Sequence, residues 1–273
     1  MDRLLVRDDD TGIYYRFWKP ARPRAVLLLV HGMGAHTGRW EFLANYFTGA
    51  GFSVYAIELS GFGQTSGDKG HIDSFRQYYN DIINLQIIAK DENPGKRIFI
   101  LGESLGGLIS LLLVSEREDL FSGIICISPA LKSILKLSPM IYLKILVSFF
   151  IFPRKRFVLP FNASMCTRDG EYIKVMDNDQ REHRFATARL LGLTLLAQMR
   201  ILFSAEKINI PVLFLVAGND MLVDTQAIEG FYKRLTGSGK DIIRYAGMRH
   251  ALSIDVERDK VFEDILHWLM KRL

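Results

Sequence analysis

The chain of 273 residues is long enough for one complete α/β domain with an insertion. Hydrophobic residues make up 49% of it and charged residues 24%, a balance that excludes an intrinsically disordered protein. The net charge is +5, and the residues of the most basic segment interrupt an apolar stretch rather than a hydrophilic face, which argues against a nucleic-acid partner.

The cysteines and the N-terminus indicate the cellular setting. Cys126 lies in an apolar, strand-like run, so we interpret it as a buried free thiol rather than a redox site or half of a disulfide. Residues 1–10 lack the apolar core and the small-residue cleavage site of a signal peptide. We therefore expect a reducing, cytoplasmic location.

Apolar runs and turn residues predict alternating strands and helices along the chain. An early antiparallel strand is predicted at 13–18, and later strands at 25–30, 53–57, 97–101, 123–128, 211–216 and 241–245. Helices are predicted at 39–50, 75–91, 107–114, 225–235 and 260–273. Repeated β-α units imply an α/β fold with a mostly parallel central sheet flanked by helices. The active site of such a fold lies beyond the carboxyl ends of the strands.

The pentapeptide Gly-Glu-Ser-Leu-Gly at 102–106 lies between the strand 97–101 and the helix 107–114. In this context it predicts a nucleophile elbow, a sharp strand-to-helix turn that exposes the hydroxyl of Ser104. Glycine is needed two residues before and two residues after the serine, because the turn leaves no room for side chains there. A serine held beside the backbone N–H groups of a helix N-terminus can accept an acyl group.

Two residues on later loops complete a candidate catalytic triad. Asp220 follows a buried strand, where a rigid element can hold its carboxylate against a histidine. His250 lies on the loop between the last strand and the last helix, from which a general base can reach the serine. The nearby Asp224 directly precedes a predicted helix, so we assign it to capping that helix. The chain order serine, aspartate, histidine is that of an α/β-hydrolase.

A glycine-rich turn at 31–34 follows the strand 25–30 and can direct a backbone N–H toward the serine. We assign the two oxyanion-hole donors to the backbone N–H groups of Met33 and Leu105. The imidazole of His31 is expected to bond nearby backbone instead. No pair of histidines or cysteines has zinc-ligand spacing on a suitable scaffold, so we expect no metal site.

These motifs resemble those of the monoacylglycerol lipase and lysophospholipase family of α/β-hydrolases, which is serine aminopeptidase S33-like. The resemblance extends from about residue 10 to the C-terminus and rests on the motifs at 31–40, 102–107, 218–220 and 247–250. It implies an α/β-hydrolase fold and an enzyme that uses no cofactor. It also implies that Ser104 is the nucleophile, Asp220 the acid and His250 the base. The same resemblance makes Met33 and Leu105 the oxyanion donors.

The chain departs from this family at two places near the predicted site. Residues 58–63, Glu-Leu-Ser-Gly-Phe-Gly, stand where the family commonly has an aspartate, a basic or aromatic residue and a glycine pair. Glu103 replaces a frequent histidine of the elbow. Neither departure falls on the predicted triad.

Residues 129–206 form a predicted helical cap, here called the cap segment, inserted into a core of residues 1–128 and 207–273. Apolar stretches at 131–137 and 139–152 predict cap helices. Both are too short for the ~20 apolar residues of a membrane span. We expect the cap segment to contain the substrate-binding residues, which the sequence does not identify individually.

The cap segment also concentrates positive charge. No acidic residue lies between Asp119 and Asp169, and the local charge of +7 leaves the rest of the chain at −2. The basic residues are Lys132, Lys136, Lys144, Arg154, Lys155, Arg156 and Arg168. Two interpretations stay open. The segment contains ordinary cap helices, or it is a lid whose outer face contacts anionic lipid, which would place the protein peripherally on the inner face of a membrane.

Together these features predict a serine ester hydrolase that cleaves single-chain lipid esters, above all monoacylglycerol, through an acyl-enzyme on Ser104. Lysophospholipase and general carboxylesterase activities are alternatives with the same machinery. More distant alternatives are an aminopeptidase of the S33 type and a lipid-binding protein without catalysis. The complete set of serine, acid and base argues against the last of these.

Overall fold

The computed structural model describes residues 2–6 and 12–273. Its strands are β1 Asp2–Val6, β2 Gly12–Trp18, β3 Ala25–Val30, β4 Phe52–Ile57, β5 Ile98–Glu103, β6 Gly123–Ile127, β7 Arg156–Val158, β8 Phe185–Thr187, β9 Val212–Ala217 and β10 Lys240–Tyr245. Its α-helices are α1 Glu41–Gly49, α2 Phe75–Asp91, α3 Leu105–Glu116, α4 Pro139–Ile151, α5 Ala163–Cys166, α6 Gly170–Asn178, α7 Ala188–Ile201, α8 Thr225–Arg234 and α9 Arg258–Met270.

Within the described residues, eight strands form a central sheet in the order β1-β2-β4-β3-β5-β6-β9-β10. The first three strands of this order pair antiparallel, as predicted for β2, and the pairings from β4 to β10 are parallel. Every residue of β3, β4, β5, β6 and β9 is buried, because helices cover both faces of the sheet. The predicted α/β architecture is confirmed.

The alternation of side chains along β3 shows how one strand supports two cores. Val26, Leu28 and Val30 pack in the layer formed with α2, α3, α7 and α8. The intervening residues pack in the opposite layer, formed with α1 and α9. Successive side chains of a strand point to opposite faces, so one apolar run serves both layers. This arrangement fixes the carboxyl ends of the parallel strands, where the predicted site residues lie.

The stretch 131–137 is not a helix, and the prediction of one there was wrong. Its backbone pairs instead with the loop that precedes α8: the N–H of Ile134 donates to the carbonyl of Leu222 at 3.0 Å, and the N–H of Asp224 donates to the carbonyl of Lys132 at 2.8 Å. Helix α4 begins only at Pro139, where the hydroxyl of Ser138 caps its first turn. Tertiary hydrogen bonds therefore decide the conformation of this apolar stretch.

The cap segment contributes α4, α5, α6, α7 and a small antiparallel sheet of β7 and β8. Helix α4 packs against α7, and α7 packs against α3 of the core. Across the residues that the structure describes, no helix combines the length and the apolar character needed to cross a membrane. Cys126 is buried and free, as predicted, and so is Cys166.

Candidate active site

Ser104 occupies the tight turn between β5 and α3. Its φ of 55° and ψ of −118° are strained for a residue with a side chain, and such strain is common at functional sites. A Cβ at Gly102 would lie 2.4 Å from the carbonyl oxygen of Gly106, and a Cβ at Gly106 would lie 2.1 Å from that of Val30. Glycine is therefore required on both sides of the serine, and the predicted strand-to-helix turn is confirmed.

Asp220 and His250 lie on neighbouring loops that follow β9 and β10. The Nδ1 of His250 donates to Oδ2 of Asp220 at 2.8 Å. The other carboxylate oxygen, Oδ1, accepts from the backbone N–H groups of Leu222 and Val223 at 2.8 and 2.9 Å. These bonds hold the carboxylate in place, and the carboxylate in turn fixes the orientation and the tautomer of the imidazole.

The charges of this pair stabilise each other. Burial alone would lower the pKa of His250, but the attraction and hydrogen bond of Asp220 and the charge of Glu103 raise it above its ordinary value. Burial would raise the pKa of Asp220, but His250 and the two backbone donors hold it below its ordinary value. The aspartate therefore stays ionised and supports a positive charge on the histidine.

The Nε2 of His250 is buried and makes no hydrogen bond to any residue that the structure describes. Buried polar atoms without partners are uncommon and call for an explanation. His250 and Ser104 both line the same cavity. A neutral imidazole whose Nδ1 carries a proton has its acceptor at Nε2, so this atom is available to take a proton from a group in the cavity.

The loop after β3 brings backbone close to Ser104. A Cβ at Gly32 would lie 3.0 Å from the Cβ of Ser104, so a larger residue there would crowd the serine. Met33 lines the cavity beside it. Leu105 is the first residue of α3, so its backbone N–H has no acceptor within the helix. The assignment of Met33 and Leu105 as oxyanion donors stays a prediction.

His31 bonds to backbone, as predicted. Its Nε2 accepts from the N–H of Leu59 at 3.0 Å, and its Nδ1 lies 2.8 Å from the carbonyl oxygen of Gly32. Burial lowers the pKa of His31 to about 3, so the ring stays neutral. It joins the loop after β3 to the segment after β4. Asp224 caps α8 by accepting from Gln226 and Ala227, again as predicted.

Glu58 has a role that the sequence did not reveal. It is fully buried, and its Oε2 accepts from the backbone N–H and the hydroxyl of Thr37 at 3.1 and 2.7 Å. Its Oε1 accepts from the N–H of Gln64. The carboxylate therefore braces the segment that follows the glycine-rich turn. The available signal was an acidic residue placed directly after a fully buried strand.

Arg39 and Glu182 connect the core to the cap segment. They form a two-bond ion pair with N–O distances of 2.6 and 2.8 Å, and only 9% of each side chain is exposed. Nearby, Nε2 of His36 lies 3.1 Å from the Asp179 carboxylate. Arg39 also lines the cavity that holds Ser104. Partners so distant along the chain could not be identified from sequence spacing.

The cavity has a volume of about 610 Å³, within the range of small-molecule sites. Most of its wall is apolar, and α4 and α7 supply a large part of it. Leu146 and Phe150 of α4 and Leu195 of α7 line the cavity, yet they are 58%, 75% and 56% exposed at the molecular surface. Solvent therefore reaches the part of the cavity wall that these two helices form. Among the described residues, no cluster of His, Cys, Asp and Glu side chains could hold a metal ion.

Comparison with known protein families agrees with this geometry. The model of the Hydrolase_4 family, described as serine aminopeptidase, S33, matches residues 21–257. The chain belongs to this family. The family resemblance and the α/β-hydrolase fold predicted from the sequence are both confirmed.

Two curated relatives show how far the similarity extends. Human monoglyceride lipase is 28% identical over 273 residues, which cover 98% of this chain and 90% of that protein. Phospholipase YtpA of Bacillus subtilis is 28% identical over 248 residues, which cover 90% of this chain and 95% of that protein. The similarity therefore includes the core and the cap segment.

Two solved structures match the whole architecture. The monoacylglycerol lipase of Paleococcus ferrophilus has a TM-score of 0.86 and 28% identity, with 96% of this chain and 99% of that chain covered. A soluble variant of the Saccharomyces cerevisiae monoglyceride lipase has a TM-score of 0.89 and 21% identity, with 99% and 94% covered. At that lower identity the second structure shows the shared fold alone.

Proposed function

We propose that this chain is a serine ester hydrolase that converts monoacylglycerol and water to free fatty acid and glycerol. The observation that carries the proposal is the apolar cavity with Ser104 and the free Nε2 of His250 on its wall. Family relatives that are named monoglyceride and monoacylglycerol lipases support the choice of substrate.

In the first half of the reaction, Oγ of Ser104 attacks the ester carbonyl carbon while Nε2 of His250 takes the hydroxyl proton. The carbonyl oxygen becomes an oxyanion, which the N–H groups of Met33 and Leu105 stabilise. The C–O bond to glycerol then breaks, and His250 gives its proton to the departing glycerol oxygen. The fatty acyl group remains bound to Ser104 as an ester.

In the second half, water takes the place of glycerol. His250 removes a proton from the water as its oxygen attacks the acyl carbon. The second tetrahedral intermediate collapses, Oγ of Ser104 takes the proton back from His250, and the fatty acid leaves. Asp220 stays ionised throughout and stabilises the imidazolium in both halves.

We predict that medium- and long-chain monoacylglycerols are hydrolysed with a higher kcat/KM than short-chain esters. The reason is that each CH₂ group moved from water into the apolar cavity gains about 0.8 kcal/mol. Initial rates across a panel of chain lengths and head groups test this, with Ser104→Ala as the blank.

Three results of that panel would contradict the proposed substrate. An optimum at acetyl or propionyl esters indicates a general carboxylesterase. Faster turnover of lysophospholipids indicates a phospholipase. Turnover of an amino-acid arylamide without turnover of acyl esters indicates an aminopeptidase.

We further propose that the outer surface of α4 and α7 contacts a membrane at its cytoplasmic face. Lys144 is the only charged residue in the sequence of α4, and Ser148 is the only buried residue of this helix, all of which lies in the described part of the chain. A helix that is apolar all round but largely exposed is unusual for a protein in water, and such patches mark interaction sites. Leu146 and Phe150 belong both to this exposed patch and to the cavity wall, so a lipid chain could enter the cavity from a bilayer at this place.

The basic residues at this surface are not equivalent. Lys132 lies 2.8 Å from the carboxylate of Asp224, and Arg154 pairs with Asp68. Arg168 likewise pairs with Asp255 and Glu257. In the lid interpretation Lys132 and Arg154 would meet anionic head groups, but an ion pair presents little net charge to a membrane. Of the seven basic residues listed for the cap segment, the exposed ones outside these ion pairs are Lys136, Lys144, Lys155 and Arg156. We therefore base the membrane proposal on these four.

We predict that Lys136→Gln with Lys144→Gln weakens binding to anionic vesicles by about 10- to 30-fold, because each basic residue near such a surface contributes ~1 kcal/mol. Co-sedimentation measures this, and binding should also weaken as salt rises. The control, Lys260→Gln with Lys271→Gln, removes the same charge from the region of α9 on the opposite sheet face and should change binding little. Equal binding to neutral and anionic vesicles, or none to either, would refute the contact.

A further inference from the structure

Glu103 is a buried carboxyl that the triad does not account for. It is the last residue of β5, precedes Ser104, and is only 3% exposed. It lines the same cavity as Ser104 and His250. A buried carboxyl is costly unless it is paired or hydrogen-bonded, so its contacts indicate why it is present.

The hydrogen-bond partner of Glu103 lies on the segment that carries the histidine. The hydroxyl of Ser253 donates to Oε1 of Glu103 at 3.0 Å, and both side chains are buried. Ser253 belongs to the 3₁₀ helix Leu252–Ile254, which follows His250 with one residue between them. This bond therefore connects the strand that presents Ser104 to the loop that presents His250.

Charge makes a second link between Glu103 and His250. The charged groups that face the imidazole are Asp220 after β9, Glu103 at the end of β5, and Arg39 in the 3₁₀ helix that precedes α1. Arg39 opposes a positive charge on His250, but its guanidinium is bound by Glu182. Glu103 and Asp220 both favour that charge. Burial raises the pKa of Glu103 itself, while His250 and Arg39 act in the opposite direction.

We propose that Glu103 is a positioning residue for His250. It anchors the histidine loop through Ser253, and as a second carboxylate near the imidazole it stabilises the imidazolium that forms when Nε2 takes the Ser104 proton. Glu103 exchanges no proton in this step: the Oγ–H bond of Ser104 breaks and the N–H bond on His250 forms. The inference rests on the proposed serine hydrolase function.

The test compares three variants that separate anchoring from charge. Glu103→Gln keeps an oxygen that can accept from Ser253 but removes the charge, so kcat should fall about tenfold and the acid limb of the kcat/KM profile should move about one pH unit lower. Ser253→Ala removes the side-chain bond of the anchor and keeps the charge, so kcat should fall with the acid limb unmoved. Glu103→Asp keeps a carboxylate and should keep the wild-type acid limb.

Two results would overturn the inference. One is an acid limb that stays in place in folded Glu103→Gln, and the other is an identical shift in all three variants, which would indicate a structural effect alone. If Glu103→Gln fails to fold, a displaced acid limb in Glu103→Asp or in Ser253→Ala, or a wild-type kcat in Ser253→Ala, overturns the inference equally. Wild-type turnover separates this test from the proposed function, because a wild-type protein that hydrolyses no ester refutes the hydrolase proposal itself.

Discussion

Replacing Ser104 with alanine is expected to lower kcat for monoacylglycerol hydrolysis by about a millionfold, the loss that is typical when the nucleophile of such a triad is removed. Without Oγ no acyl-enzyme can form, and only binding and the oxyanion donors still accelerate attack by water. Initial rates with a long-chain monoacylglycerol measure the effect. The free energy of unfolding should change little, because alanine meets the same backbone strain at this position as serine does.

Ser133→Ala is the matched control for this variant. Ser133 lines the same cavity, and its hydroxyl donates to the carbonyl of Leu222 at 3.3 Å. Its loss should alter kcat only a few-fold. If Ser104→Ala keeps a rate within a hundredfold of the wild type, or if the two variants lose activity equally, Ser104 is not the nucleophile.

Replacing Asp220 with asparagine is expected to lower kcat by about ten thousandfold. The asparagine amide would donate toward Nδ1 of His250 and favour the tautomer that carries its proton on Nε2, which then cannot accept the serine proton. The volume is nearly unchanged, so folding should be preserved. Steady-state rates measure the loss of kcat.

The same variant has an expected pH signature. Hydrolysis requires neutral His250, so wild-type activity should be lost as the pH falls through the histidine pKa, which Asp220 holds above its ordinary value. Removing the carboxylate lowers that pKa, and the residual activity should persist to lower pH than in the wild type. Asp224→Asn is the control: asparagine caps a helix as well as aspartate does, so kcat should stay near the wild-type value.

The structure also shows which features local sequence could predict. The elbow was predictable because the turn leaves no room for side chains at its two glycines, which is a local steric requirement. The close approach of Gly102 to Gly106 confirms this requirement. Asp224 directly precedes a predicted helix, and capping that helix is a sufficient local reason for an aspartate there. Asp220 has no such local reason, so the two residues could be assigned different roles. The capping of α8 by Asp224 bears out the role assigned to Asp224, and the catalytic role of Asp220 stays a prediction.

Features that depend on distant partners were not predictable. The apolar stretch 131–137 has a composition typical of a helix. It instead forms hydrogen bonds with a distant loop, and two of the bonded residues, Ser133 and Leu222, are 89 residues apart in the chain. Arg39 and Glu182 are 143 residues apart, and no local pattern connects them. The sequence showed only that Glu103 stands where the family often has a histidine. Its contact with Ser253 depends on how β5 packs against the segment that follows His250.

The central claim is that Ser104 is the nucleophile of a hydrolase that binds monoacylglycerol, and covalent labelling with a fluorophosphonate tests it most directly. In this reaction Oγ of the serine attacks phosphorus and fluoride leaves, so the adduct identifies the nucleophile by peptide mass mapping. We predict a single adduct on Ser104, formed more slowly when a long-chain monoacylglycerol competes, and none in Ser104→Ala. An adduct on another residue, or labelling of Ser104→Ala at the wild-type rate, would contradict the account.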